Sequence, residues 1–393
     1  MAFAAALSEH PLATHATGEV VGQVLERLGD RPPDLAIVFV TEPHGGALED
    51  IGATIGSVLR PSVLLGVTAA SVAGGPREIE ERPAVSLWAA RIGGEVQPVR
   101  LPGVPGPGGG AGARFSLRSA LGAAGPGDID PERDLLLLLA DPFSFRVDDV
   151  LEHVDGTWPG LAVAGGMASA ARGPGGNRLL LGRDVHADGA VGVLVRPAGG
   201  IETVVSQGCR PIGDPYVVTR SEANVVQELG GRPALERLEQ VVGALGPDDL
   251  ALARKGLHIG RVIDERRDEF EQGDFLIRGV IGADRSTGAV AIGDRAEVGA
   301  TLQFQVRDAQ TSDDDLRRLL AGRQADGALL FTCNGRGLHL FSEPDHDAAV
   351  LDAVVSDGAV AGMFCAGELG PVGGRNFLHS FTASMVLFTD PLG

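Results

Sequence analysis

Lysine is almost absent from this sequence of 393 residues. Of the 33 lysine and arginine residues, Lys255 is the only lysine and all the others are arginine. Its scarcity removes Schiff-base chemistry and the lysine of a phosphate-binding loop almost entirely. Cysteine is limited to three residues with no CxxC pair, which argues against a disulfide framework and for a reducing compartment. Aromatic residues make up only 4%, so the sequence shows no stacking platform for single-stranded nucleic acid.

Several common signatures are missing as well. The sequence contains no G-x-S-x-G elbow, no H-E-x-x-H motif, no phosphate-binding P-loop and no EF-hand loop. No apolar run approaches the roughly 18 residues of a membrane span, and the N-terminus lacks the basic start and long apolar segment of a signal peptide. We therefore expect a cytoplasmic protein without membrane insertion, and the residues imply no cofactor.

Charge and composition narrow the class further. The chain has 52 acidic and 33 basic residues, a net charge of −19, and its acidic residues are spread over both halves. No basic face is set aside for phosphate groups, so nucleic acid is not an expected partner. Apolar residues make up 44%, which is typical of a globular protein. The length exceeds the roughly 250–300 residues that one core supports, so we expect two domains.

A strand, helix, strand, strand pattern recurs along the chain. Its copies begin at the buried runs 34–40, 134–141 and 328–333, and each has a second strand that contains glycine. Before the first copy, residues 17–29 have the apolar spacing of a helix, with Thr17 as its expected N-cap. The pattern predicts an α/β fold, with α+β as the alternative, in which mixed sheets are flanked by helices and two domains share similar units.

The intervening segments predict the domain organisation. Residues 101–114 are rich in Gly and Pro and predict a flexible excursion inside the first domain, 1–205. The second domain is expected over 206–393. It begins with a predicted helix-turn-helix over 221–245, followed by short hairpin-like strands over 257–308.

Two loops that follow buried strands in the last third hold the best candidates for a binding site. One comes from ALLFTCNGRG, the other from MFCAGELGPVGGRNFLH, and ligands of α/β folds collect beyond strand ends. An arginine and loop N–H groups suit a carboxylate, and a glutamate suits an ammonium group. The two loops together therefore predict that the ligand is an amino acid or similar zwitterion. The candidate ligand-binding residues are Cys333, Asn334, Gly335, Arg336, Gly337, Cys365, Glu368 and Arg375.

The same residues allow other interpretations. Glu368 can pair with an arginine to close the fold, and the cysteines can pack as small apolar residues. Cys333 or Cys365 can instead serve as the nucleophile of a hydrolase or transferase. No metal site is expected, because no pair shows ligand spacing. His346, within EPDHD, is expected in a solvated turn, and His44 and Thr68 are further pocket candidates at strand ends in the first half.

The chain resembles the FIST family, named for F-box and intracellular signal transduction proteins. The resemblance rests on LLGVTAASVAGG and VSLWAARI in the first half and on SQGCRPIGDPYVVTR at the boundary. It continues in FLIRGVIGADRSTGAVAIGD, ALLFTCNGRG and FCAGELGPVGGRNFLHSFTA, and covers roughly residues 35–390. The sequence has Gly66-Val67-Thr68 where a Gly-Cys-Thr pattern is common in the family.

The resemblance implies an N-terminal and a C-terminal FIST domain that form a sensory module for small ligands. In other proteins this module is joined to signalling outputs or an F-box. No kinase, receiver or F-box segment is recognisable here, so we expect a stand-alone sensor whose output passes through a separate signalling partner. The alternatives are an enzyme that uses Cys333 or Cys365, or a scaffold for protein interactions.

Overall fold

A computed structural model describes residues 2–103, 129–267 and 269–390, and the chain forms two compact units. The first unit draws on 1–205, 317–378 and 382–393, and the second on 206–316 and 379–381. From residue 104 onward, the predicted excursion 101–114 lies outside the described residues. The second unit begins at the predicted boundary, but the chain returns to the first unit afterwards. The division into domains 1–205 and 206–393 stays a prediction.

The first unit contains three repeats of one strand and helix pattern. In the first repeat, α1 begins before the predicted residue 17, and Thr17 lies inside it. The Thr17 hydroxyl donates to the carbonyl of Ala13 at 2.7 Å, so the prediction that Thr17 is the N-cap was wrong. The elements of this repeat are β1 (Phe3–Ser8), α1 (Ala13–Leu28), β2 (Leu35–Thr41), α2 (Leu48–Val58), β3 (Val63–Ala69), β4 (Ser71–Gly74), β5 (Arg77–Glu80) and β6 (Val85–Ala90).

The second repeat follows the same order in its described part. Its first buried strand, its helix and its Gly-containing second strand lie where the sequence pattern predicts them. The elements are β7 (Glu95–Leu101), β8 (Leu135–Ala140), α3 (Val147–Thr157), β9 (Ala162–Met167), β10 (Leu179–Leu181), β11 (Asp184–His186) and β12 (Ala190–Arg196).

The second unit is a closed antiparallel barrel. Six of its strands pair in a closed circle, and Val218, Phe304 and Val306 belong to its apolar core. The order around the circle is Thr301–Arg307, Tyr216–Glu222, Val225–Leu229, Ala289–Ile292, Phe275–Asp284, Leu257–Val262 and back to Thr301–Arg307. The helix-turn-helix predicted over 221–245 was wrong in its first half, where Tyr216–Glu222 and Val225–Leu229 form a hairpin. After β13 (Gly200–Gln207) the elements are β14 (Cys209–Pro211), β15 (Tyr216–Glu222), β16 (Val225–Leu229), β17 (Arg232–Pro233), α4 (Ala234–Gly243), α5 (Pro247–Lys255), β18 (Leu257–Val262), β19 (Phe275–Asp284), β20 (Ala289–Ile292), β21 (Thr301–Arg307) and α6 (Ala309–Leu320).

The third repeat completes the first unit. Its elements are β22 (Gly327–Cys333), α7 (His346–Asp352), β23 (Val360–Cys365), β24 (Glu368–Val372), β25 (Arg375–His379) and β26 (Thr382–Thr389). In every repeat the first long strand is central: it pairs in parallel with the second and antiparallel with a later one. These triplets are β3-β2-β6, β9-β8-β12 and β23-β22-β26. Such mixed sheets with helices confirm the predicted α/β class.

The three sheets exchange hairpins. The β4–β5 hairpin of the first repeat pairs through β4 with β23 of the third. The β24–β25 hairpin of the third repeat pairs through β24 with β9 of the second, and the β10–β11 hairpin of the second pairs through β10 with β3 of the first. This hairpin exchange closes in a ring, so each sheet of the first unit contains strands from two repeats.

Apolar helix faces pack on the sheets, and a glycine recurs at one position of each repeat. Val20, Val24 and Ile55 of α1 and α2 pack on the first sheet, and α3 packs on the second. Burial of one such side chain stabilises the fold by about 1.5–3 kcal/mol. At the same register position of each repeat, the second strand carries a glycine opposite Val38, Leu138 or Leu330 of the first. These glycines are Gly66, Gly165 and Gly362.

No helix in the described part of the chain is long and apolar enough to cross a membrane.

Candidate functional site

A cleft lies where the strands of all three repeats end. It consists of two adjoining hollows of about 280 Å³ and 550 Å³, which share the lining residues Ala70, Glu81, Ser169, Ala171 and Arg172. Because each first and second strand run in parallel, their carboxyl ends meet at the same edge of a sheet. Volumes of this order suit a small organic ligand.

Equivalent residues of the repeats reach this cleft. Each glycine and its partner on the first strand mark equivalent positions in the three repeats. The residues that lie the same number of positions further along the chain from these six are also equivalent, and they follow the ends of the six strands. All six line one of the two hollows. After the first strands they are Glu42, Pro142 and Asn334, and after the second strands Ala70, Ser169 and Ala366. The cleft is therefore the common meeting point of the repeats.

Ser169, which lines both hollows, links the three repeats. Its hydroxyl accepts a hydrogen bond from the backbone N–H of Ala70 at 2.9 Å and donates one to the carbonyl of Phe364 at 2.6 Å. A second link runs from the N–H of Ala366 to the carbonyl of Met167 at 3.0 Å. A group bound in the cleft therefore lies against a hydrogen-bonded junction of all three repeats.

The cleft carries charges of both signs. Arg172 is exposed, and among the described residues no carboxylate forms an ion pair with it. Glu42 and Glu81 are exposed carboxylates of the same hollow. Burial raises the pKa of the neighbouring Glu80, although its carboxylate accepts a hydrogen bond from the N–H of Leu338 at 2.9 Å. Mixed charge of this kind suits a ligand that carries both an anionic and a cationic group.

Glu81 occupies a strained backbone position at the edge of the cleft. Its φ of 51° lies in the left-handed region, which costs a non-glycine residue about 1 kcal/mol or more. The Ser71 hydroxyl stabilises this conformation by accepting a hydrogen bond from the Glu81 N–H at 3.1 Å. In this conformation Glu81 lines both hollows.

The two predicted loops do come together. Cys333 and Cys365 are the last residues of β22 and β23 and are direct partners in the parallel pairing. The N–H of Asn334 donates to the carbonyl of Cys365 at 2.9 Å. Of the eight predicted ligand-binding residues, only Asn334 lines the cleft. Its amide oxygen is buried without a hydrogen-bond partner in the described part of the protein.

Arg336 is fully buried and committed to Asp347. Its Nε and Nη2 donate to the two Asp347 oxygens at 2.6 and 2.8 Å. Burial alone would raise the pKa of Asp347, but the charge and hydrogen bonds of Arg336 outweigh it and hold this pKa well below its usual range. The guanidinium that we expected to receive a ligand carboxylate therefore faces an internal carboxylate instead.

Asp347 belongs to the EPDHD segment, where we expected a solvated turn around His346. His346 is instead only partly exposed: its ring stacks on Phe341 with centroids 3.4 Å apart, and its Nδ1 lies 2.9 Å from Asp347. Thr332 adds a hydroxyl donor to Asp347 at 2.6 Å. The expectation of a solvated His346 was wrong, because α7 begins at this residue and packs it inward.

Glu368 is a buried carboxyl group beside the two cysteines. Burial raises its pKa to about 8, and the hydrogen bonds of Thr382, the charge of Arg336 and the Cys333 thiol oppose this only in part. The Thr382 hydroxyl donates to Glu368 Oε2 at 2.9 Å. Burial also raises the pKa of the Cys365 thiol, with a further contribution from Glu368. Burial therefore favours the protonated form of both groups.

The remaining predicted residues have other surroundings. Arg375 lies on β25 with its side chain 63% exposed, 3.9 Å from Asp155, and lines neither hollow. A Cβ atom added to Gly337 would lie 2.5 Å from Glu80 Oε1, so this glycine allows the loop to wrap the Glu80 carboxylate. Thr68 is tied to the backbone of Arg178, and the His44 ring lies 3.0 Å from the carbonyl of His10.

Four residues of the cleft do not belong to any motif recognised in the sequence: Ser169, Arg172, Glu80 and Glu81. The signal that points to Ser169 is its place in the repeat, because GVTAAS, GGMAS and GMFCA align when the recurring glycine is used as the anchor. Arg172 and Glu81 lie in connections that follow the aligned strands and do not occupy equivalent positions of the repeat. The repeat pattern therefore does not point to either residue.

Comparison with known protein families agrees with this architecture. A model of the FIST N domain matches residues 34–232, and a model of the FIST C domain matches residues 234–371. The chain belongs to the FIST family. FIST domains are associated with signal transduction. The limit between the two FIST matches falls inside the second compact unit, so the family domains and the compact units have different bounds.

Full-length relatives exist in mycobacteria. The chain is 44% identical over 392 residues to an uncharacterized protein of Mycobacterium bovis, with 97% of each chain covered. It is 43% identical over 393 residues to an uncharacterized protein of Mycobacterium tuberculosis, with 98% of each covered. These FIST proteins match both compact units.

Proposed function

We propose that this FIST protein is a cytoplasmic sensor that binds a small zwitterion, such as an amino acid, in the cleft and signals through a partner protein. The mixed charge of the cleft carries the proposal. Arg172 offers a planar fork for a carboxylate, and Glu42 and Glu81 offer acceptors for an ammonium group. The buried amide oxygen of Asn334 is a further acceptor.

In this proposal the ligand carboxylate is held by Arg172 rather than by Arg336, because Arg336 is buried against Asp347. Phe143, which is 42% exposed, and Phe364 supply apolar surface in the hollow that contains Asn334. An amino acid with an apolar side chain would place that side chain against these rings and its charged groups toward Arg172 and Glu81.

The position of the cleft offers a route to an output. A ligand there contacts residues of all three repeats, which Ser169 already joins by hydrogen bonds. Ligand binding in the cleft therefore stabilises one arrangement of the repeats over others. A partner protein that binds only that arrangement would respond to the presence of the ligand. The association of FIST domains with signal transduction supports this reading.

Thermal unfolding of the full-length protein with individual amino acids tests the proposal. A ligand present at 100 times its Kd stabilises the native state by about 2.7 kcal/mol, which raises the Tm measurably. Arg172→Ala should lower the affinity measured by calorimetry at least tenfold, whereas Arg375→Ala, a matched exposed arginine, should leave it unchanged. The absence of any shift with amino acids and related zwitterions would overturn the proposal, as would full binding by Arg172→Ala.

A further inference from the structure

Cys333 and Cys365 lie side by side at the ends of neighbouring parallel strands. They are direct partners in the β22–β23 register, so both side chains leave the same face of the sheet. Neighbouring strands are about 4.8 Å apart, within the roughly 4.4–6.8 Å separation of Cα atoms that a disulfide bridges. Each cysteine is the last residue of its strand, where the adjoining loop can adjust to a new bond.

The Cys365 thiol is closely packed against β9. A Cβ atom added to Gly166 would lie 2.3 Å from Cys365 Sγ, so a glycine is required where β9 passes this thiol. Glu368, the partner of Gly166 in the next strand, interacts with both cysteines. Arg336 interacts electrostatically with Cys333, and a thiolate beside a cation is the reactive form of cysteine.

The two thiols differ in their access to solvent. Cys333 is partly exposed, and the next residue, Asn334, lines the cleft. Cys365 is fully buried. A small oxidant in the solvent therefore reaches Cys333 before Cys365, and Cys365 is positioned to react with the product.

We propose that Cys333 and Cys365 form a peroxide-reactive pair that closes reversibly to a disulfide. The Cys333 thiolate attacks one oxygen of a hydroperoxide, the O–O bond breaks, and the leaving oxygen takes a proton to become water or an alcohol. Cys333 is oxidised to a sulfenic acid. The Cys365 sulfur then attacks Cys333 Sγ, the S–O bond breaks, and the hydroxide leaves as water with the Cys365 proton. A dithiol reductant restores both thiols.

Mass spectrometry of the full-length protein treated with hydrogen peroxide tests this proposal. Trypsin cleaves after Arg336, which places Cys333 and Cys365 in different peptides, and Cys209 lies in a third. We expect loss of two of the three thiols, loss of two hydrogen atoms from the intact mass and a cross-linked peptide pair that contains Cys333 and Cys365. Dithiothreitol should reverse all three changes. Retention of all three thiols, a link through Cys209, or a link between two molecules would overturn the proposal.

Single substitutions test the order of the two steps. Cys365→Ser should accumulate a sulfenic acid at Cys333 that dimedone labels, whereas Cys333→Ser should leave Cys365 unlabelled. Cys209→Ser is the matched control, because Cys209 is a buried thiol of the second unit, and it should form the disulfide as the wild type does. Dimedone labelling of Cys365 in the Cys333→Ser protein would overturn the assigned order. The wild-type peptide map decides the linkage even if a serine variant does not fold.

Discussion

Two buried ionisable side chains, Arg336 and Glu368, show opposite solutions to the cost of burying charge. Arg336 keeps its charge because Asp347 pairs with two of its nitrogens. Glu368 has hydrogen bonds from Thr382 but, within the described part of the chain, no cation bonded to it, so burial favours its neutral form. The sequence predicts that both residues lie in neighbouring loops. It does not reveal the pairing with Asp347, because that contact depends on how α7 packs against the end of β22.

Glu368→Gln should change how stability depends on pH. The pKa of Glu368 is about 8 in the folded protein, whereas 4.5 is the ordinary pKa of a glutamate, so above pH 4.5 the unfolded chain loses a proton that the folded protein keeps. The free energy of unfolding of the wild type should therefore fall as the pH rises from 5 to 8, by on the order of 3 kcal/mol from this group. Gln cannot ionise, so the variant should lose less stability over this range.

Urea unfolding at several pH values measures this difference. Glu343→Gln, which removes a carboxylate from an exposed position, is the control and should keep the wild-type slope. Equal slopes for the wild type and the Glu368→Gln protein would show that Glu368 ionises normally in the folded state.

At the scale of elements, the long periodic segments were predictable and the pairing between repeats was not. Buried runs such as 34–40 and 134–141 form strands because their apolar content leaves few alternatives. Segment 221–245 was misjudged at its start: its valines and leucine fit a short helix as well as a strand, and the left-handed Ala223 turns the chain into a hairpin. The hairpin exchange depends on contacts between distant repeats, which local periodicity does not encode.

Gly165→Ala should destabilise the first unit strongly. Gly165 has a φ of 136°, and a Cβ atom there would lie 1.9 Å from the carbonyl oxygen of Leu138. Because that neighbour is backbone, relief requires movement of the β8–β9 pair, and we expect a loss of about 3 kcal/mol or more in the free energy of unfolding. Gly156→Ala, within α3 and with nothing near its added Cβ, should instead stabilise by about 0.5–1 kcal/mol. Chemical denaturation that finds equal effects for both substitutions would refute the packing argument.

At the scale of the whole molecule, the sequence predicts two cores, and the structure supplies two compact units. It does not predict that the second unit lies between β13 and β22, so that the chain returns to the first unit only with the third repeat. The predicted site followed the strongest local motifs, whereas the cleft brings residues such as Glu42, Arg172 and Asn334 together from three separate repeats. The sequence indicates the common edge of parallel strands, and the cleft lies at such an edge. Which side chains line the cleft depends on the pairing of strands from different repeats, which the sequence does not indicate.

The segment 206–316 should fold by itself. Its strands close on one another in a barrel, and its core residues, among them Val226, Ile259 and Phe304, come from within the segment. Expressed alone, it should show a β-rich circular dichroism spectrum, dispersed amide resonances and a cooperative thermal transition. Collapsed amide dispersion and no cooperative transition would show that the barrel depends on the rest of the chain.

The hairpin exchange has a consequence for synthesis on the ribosome. The first sheet is complete once residues 184–186 have emerged, since it needs only strands from the first two repeats. The β4–β5 hairpin, made much earlier, has its β23 partner only after residues 360–365 have been translated. Throughout that interval β4 presents an unpaired edge, which is a template for wrong association. Nascent chains stalled before residue 360 should therefore be the species most dependent on chaperones.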